Sequence, residues 1–76
     1  MPILRRMATT LQVMLNGEAR TLTGPVTVAG LLVAIGLDTR KVAVERNEEI
    51  VPRSAYATTE LASGDALEIV HFIGGG

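Results

Sequence analysis

The residues with the clearest chemical potential stand at the end of the sequence, Ile73-Gly74-Gly75-Gly76. A terminal glycine presents a carboxylate on a carbon that bears no side chain. Such a group is a poor electrophile but a fair nucleophile toward the α-phosphate of ATP, and once adenylated its carbonyl carries a good leaving group. Lacking a Cβ, the backbone enters a narrow catalytic groove and the acyl carbon stays open to attack. Gly76 is therefore the expected reacting residue, with Gly74 and Gly75 as its approach. Each glycine loses the maximal backbone entropy on ordering, so 74–76 is expected to be a flexible tail, spanning roughly 10 Å when extended. Composition alone also allows an inert glycine-rich terminus or linker.

The stretch before the tail supplies a second signal. Alternation over Ala66–Phe72 puts Leu67 and Ile69 on one face of a strand and Glu68, Val70 and Phe72 on the other. If Leu67 and Ile69 are core, Val70 and Phe72 are large apolar groups on the outer face, where an enzyme holding the tail needs a grip. The opposite register would bury Glu68 at a cost. His71 is the only histidine and cannot build a metal site alone. Glu45, Glu48 and Glu49 cluster near Arg46, as solvated turn charge or as a docking patch for a basic surface. No Ser/His/Asp arrangement, ligand-spaced His/Asp set or phosphate-cradling glycine loop is present, so no active site within the domain is expected.

The elements that must position this end follow from local signals. Leu11, Val13 and Leu15 alternate with polar neighbours over Thr10–Leu15, the period of a half-buried strand. Asn16-Gly17 suits a type I′ hairpin turn, and Glu18–Thr23 is the return strand, broken by Gly24-Pro25. Thr27 stands at a helix N-cap; Val28, Leu31, Leu32 and Ile35 follow at helical spacing, and Gly36 ends the helix. The outer helix face carries Gly30, Val33 and Ala34 rather than charges, so it is either a poorly optimised surface or a second contact face. Lys41–Arg46 alternates with Val42 and Val44 inward, Asn47-Glu48-Glu49 turns into a short strand at Ile50-Val51, and Pro52 ends it. Arg53–Tyr56 reads as one helical turn or an irregular loop, Leu61 as a core anchor, and Ser63-Gly64-Asp65 as the last turn.

A hairpin, one helix and further strands make an α+β layout, a β-grasp roll: a mixed four- to five-stranded sheet covered by one main helix. The first and last strands are expected side by side in its middle. The expected organisation is a disordered leader over 1–8, the β-grasp domain over 9–73 and the tail over 74–76. At 76 residues the chain admits one small domain, and with aromatics at only 3% its core must be aliphatic. Seven Lys+Arg against eight Asp+Glu remove the electrostatic case for nucleic acid or an anionic membrane. With no cysteine, any sulfur chemistry needs sulfur from elsewhere. No stretch has the roughly 18 apolar residues of a membrane span, and no apolar segment follows Arg5-Arg6 as in a secretory signal, so a soluble cytoplasmic protein is expected.

Five segments in order resemble the ThiS family of small, ubiquitin-like sulfur carriers of thiamine thiazole synthesis. They are Leu15-Asn16-Gly17-Glu18, Thr27–Leu32, Val42–Arg53, Ser63-Gly64-Asp65 and Glu68–Gly76. The chain departs from the family pattern at Gly30, where an acidic helix residue is usual, and in its leader. The resemblance implies that a ThiF-like adenylyltransferase activates the Gly76 carboxylate with ATP. Sulfur from a cysteine desulfurase route then makes a thiocarboxylate, which a ThiG-like thiazole synthase consumes. It further implies docking through Val70, Phe72 and Ile73 and no stably bound cofactor. Other readings are a sulfur carrier for molybdopterin or tRNA thiolation, a ubiquitin-like modifier, for which Lys41 is the one lysine available for chain building, and an interaction module with an inert tail.

Overall fold

In the computed structural model, which describes residues 9–72, strand β1 (Thr9–Leu15) turns through Asn16-Gly17 into β2 (Glu18–Gly24). Both turn residues have positive φ, 50° and 82°, as the type I′ geometry demands. Helix α1 (Val28–Ala34) follows, then a 3-10 turn at Thr39–Lys41, strands β3 (Val42–Arg46) and β4 (Glu49–Val51), a second 3-10 turn at Arg53–Ala55, and β5 (Ala66–His71). These five strands form one sheet in the order β2-β1-β5-β3-β4. Parallel pairing of β1 with β5 and antiparallel pairing of β5 with β3 put the last strand at the centre, as expected from the layout.

α1 is short, and its ends hold it. The Thr27 hydroxyl accepts the Gly30 N–H at 3.1 Å. At the other end Gly36 takes φ 84°, its N–H donating to the Val33 carbonyl and that of Leu37 to the Leu32 carbonyl, which is a Schellman closure. Leu37 is thereby folded back under the helix. Val28, Leu31 and Leu32 face the sheet and are fully buried with Val42, Val44 and Leu67, each contributing about 1.5–3 kcal/mol by burial. Gly30, Val33 and Ala34 lie on the exposed face, as the spacing predicts.

Element boundaries differ from the sequence reading by a residue or so. β1 begins at Thr9, β2 runs through Gly24, Lys41 belongs to the 3-10 turn rather than to β3, and β5 ends at His71, with Phe72 still donating its N–H to the Lys41 carbonyl at 2.9 Å. Tyr56, expected only as part of a turn or loop, is buried in the core. Its hydroxyl donates to the Val42 carbonyl at 3.1 Å, a group that β4 is too short to satisfy. The expected leader at 1–8 and tail at 74–76 lie outside the described residues.

Candidate functional site

The candidate site is the end of β5 and the sheet face on which it emerges. Leu67 is 1% exposed and Ile69 half-buried against the core, whereas Val70 and Phe72 are 60% and 55% exposed on the opposite face, as the alternation predicts. Met14 on β1 and Ile50 on β4 are exposed on the same open face by strand alternation and register. Ala43 pairs with Val70 there. Ile73, Gly74, Gly75 and Gly76 fall outside the described residues. His71 is exposed on the helix side and, among the described residues, belongs to no cluster able to hold a metal.

Glu45 and Glu68, both exposed, sit directly opposite each other on the open face in the β3–β5 ladder. Like charges so placed oppose pairing by a few tenths of a kcal/mol. The expected acidic cluster around Arg46 divides differently in space: Glu48 is in the turn, and Glu49 points to the other face from Glu45 and Ile50. Arg46 pairs instead with Asp65.

Two asparagines position β5, and both occupy left-handed turn positions, Asn16 at φ 50° and Asn47 at φ 53°. The Asn16 side chain accepts the Ile69 N–H at 2.7 Å and donates to the Ile69 carbonyl at 3.2 Å, continuing the β1–β5 pairing one step past the end of β1. Asn47 grips the other end: its side-chain oxygen accepts the Ala66 N–H at 2.9 Å, while its amide donates to Asp65 at 3.0 Å. Asparagine suits both positions because it tolerates the left-handed region and carries a donor and an acceptor together.

Asp65 is the buried carboxylate of the described residues, 5% exposed, and it joins three segments. It accepts from Arg46 Nε at 2.8 Å, from Asn47, and from the Ala62 N–H at 2.8 Å. Burial pushes its carboxyl up, but the Ala62, Arg46 and Asn47 hydrogen bonds and the Arg46 charge outweigh that and hold it below the ordinary carboxylate value. From the sequence, Asp65 reads as a turn residue, and Asn16 and Asn47 read only as turn positions. Apart from Ala62, their side-chain partners lie 18 to 53 residues away, beyond local pattern. The one available signal was two asparagines at turns flanking central strands.

The sequence model of the ThiS family matches residues 13–76. A thiazole synthase of Paramagnetospirillum magneticum is 54% identical over 66 residues, 87% of this chain and 20% of that protein. The chain thus spans about a fifth of the length of the thiazole synthases it matches, a second being that of Magnetococcus marinus at 44% identity. The sulfur carrier protein ThiS of Bacillus subtilis is 46% identical over 50 residues, 66% of this chain and 76% of that protein. The crystal structure of the thiamine biosynthesis protein ThiS from Geobacter metallireducens aligns with a TM-score of 0.73 at 35% identity, over 87% of this chain and 100% of that one.

Proposed function

Because the chain belongs to the ThiS family of sulfur carriers for thiamine biosynthesis, a β-grasp, ubiquitin-like family, we propose that Gly76 is its sulfur-bearing residue. A Gly76 carboxylate oxygen attacks the α-phosphate of ATP on a ThiF-like adenylyltransferase, releasing pyrophosphate and leaving an acyl adenylate. A persulfide from a cysteine desulfurase route attacks the acyl carbon and expels AMP. A partner thiol then cleaves the sulfur–sulfur bond, leaving a thiocarboxylate on Gly76 and a disulfide on the partner. Thiazole synthase takes that sulfur. ATP is consumed by the partner rather than held by this chain, whose part is that of a protein co-substrate.

The observation that supports the reading most is the family match over residues 13–76, a range that takes in the glycines. The fold supports it. β5 is held on both sides, by β3 and by β1 with Asn16, so it delivers its C-terminal end in a fixed direction. Four residues follow Phe72, a reach of at most roughly 14 Å. An enzyme that engages Gly76 therefore stands close to Val70 and Phe72, whose exposed apolar side chains are the proposed grip together with Ile73. The absence of cysteine suits a carrier that receives its sulfur from partners.

The test is intact-mass spectrometry after incubation with adenylyltransferase, ATP and a persulfide donor. Replacing oxygen by sulfur adds about 16 Da, and deleting Gly75 and Gly76 abolishes the gain while the domain stays folded. A truncated chain that still becomes adenylated would overturn the assignment of Gly76.

A further inference from the structure

We propose that the backbone edge of β5 at His71, with the pocket beside it, receives an extended segment of the thiazole synthase, which adds a strand to the sheet. The proposal rests on the sulfur-carrier reading above. Its starting point is the hydrogen-bond alternation along β5. On the β3 side the Phe72 N–H reaches the Lys41 carbonyl at 2.9 Å and the Asn47 N–H reaches the Ala66 carbonyl at 2.7 Å. With the register Val42 to His71, these bonds make the even-numbered residues of β5 the ones that pair with β3. Leu67, Ile69 and His71 therefore turn their N–H and C=O groups the other way, toward β1.

Along that side each group can be followed in turn. The Leu67 carbonyl accepts the Asn16 N–H at 2.8 Å, and both Ile69 groups are taken by the Asn16 side chain. β1 has ended at Leu15, and its turn carries the chain away. His71 is next, and among the described residues its N–H and C=O meet no partner. The chain satisfies comparable orphans elsewhere with side chains, Tyr56 at Val42 and Asn16 at Ile69, whereas among the described residues this pair stays open. An unpaired N–H and C=O on an extended residue is what recognises another extended backbone.

Beside this edge, on the helix side, lies a pocket of about 280 Å³. Leu15, Ile35, Leu37 and Ile69 form its apolar side and Asn16, Glu18, Arg20 and His71 its polar side, where the Glu18 carboxylate and the Arg20 guanidinium pair at 3.8 Å. Its volume lies below the usual range of cofactor pockets and leaves room for a side chain of an added strand. Position narrows the occupant to a protein that takes Gly76, and the relatives select among these. A protein that takes Gly76 stands within four residues of Phe72, at the end of the sheet where His71 lies. Thiazole synthases are the relatives in which a region matching 87% of this chain is part of a longer polypeptide.

The experiment is amide hydrogen exchange on the full labelled chain, with and without cognate thiazole synthase, beside a binding titration and the mass assay for sulfur loading. We expect the His71 amide to exchange at least about tenfold more slowly when synthase is bound, with the Leu37 methyl signals shifting. His71→Pro removes that N–H without touching the β3 ladder, so it weakens synthase binding roughly two- to twelvefold, the span of one hydrogen bond. Leu37→Ser, on the pocket side, weakens it independently of any change at the backbone. Binding with unchanged His71 exchange, or His71 protection that appears only on self-association, would overturn the inference while sulfur loading left the carrier reading standing. Absence of sulfur loading would overturn both.

Discussion

Replacing Asn16 with glycine removes the side-chain clamp on Ile69 while leaving the turn able to form, since glycine adopts the positive φ of that position without strain. Two hydrogen bonds are lost, at 2.7 and 3.2 Å, both in a solvent-accessible setting. Each contributes about 0.5–1 kcal/mol net in such a place, giving about 1–2 kcal/mol together. Two backbone effects oppose each other: relief of the left-handed conformation favours glycine, and its larger unfolded-state entropy disfavours it, each by about 1 kcal/mol. For a domain of this size each kcal/mol moves the midpoint by about 4–8 °C, so Asn16→Gly is expected to lower Tm by about 4–16 °C. Calorimetry reads the midpoint, and amide exchange reads the place: Ile69 should lose more protection than Val13, which lies within the β1–β2 pairing. A Tm within about 2 °C of the parent, with Ile69 still as protected as Val13, would refute the reasoning and mean that packing alone holds the end of β5.

Asp65→Asn is expected to cost about 1–3 kcal/mol at pH 7, less than loss of a fully buried pair because the Arg46 side chain keeps 31% of its exposure. Since the folded Asp65 carboxyl lies below its ordinary value, its contribution is complete above about pH 4 and drains away as pH falls through the folded value. The variant should therefore show a flatter acid limb of Tm against pH, the remaining slope including Asp38, which hydrogen bonds from Arg40 hold at about 2; an unchanged limb would count against the hub. Phe72→Ala should weaken adenylyltransferase binding at least about tenfold yet move Tm by no more than about 2 °C, measured by titration calorimetry and melting. The reverse pattern would make Phe72 a structural residue.

Much of the fold is legible because its determinants are local. The alternation of Leu11, Val13 and Leu15, the Asn16-Gly17 turn, the Thr27 cap and the Gly36 stop each depend on residues within one turn or one strand of one another. The outward placement of Val70 and Phe72 was equally accessible, since a strand with Glu68 between Leu67 and Ile69 has one inexpensive register. Tyr56 and Asp65 were not accessible in the same way. A tyrosine after a 3-10 turn and an aspartate after Ser-Gly look like surface residues until the chain returns upon itself. Tyr56 is then needed at the Val42 carbonyl, and Asp65 at Arg46, Asn47 and Ala62.

What the sequence by itself determined is the set of pieces: the strand faces, the turns, the helix ends, and an apolar pair set outward at the end of the last strand. Tertiary structure alone decided which backbone groups remain unpaired once the pieces meet. β1 and β5 pair in parallel across some fifty residues, β1 stops one step short, and Asn16 covers Ile69 but not His71. Hydrogen-bonding capacity is a property of every residue, whereas its satisfaction depends on the lengths of neighbouring strands, so the open edge becomes visible only in the assembled sheet.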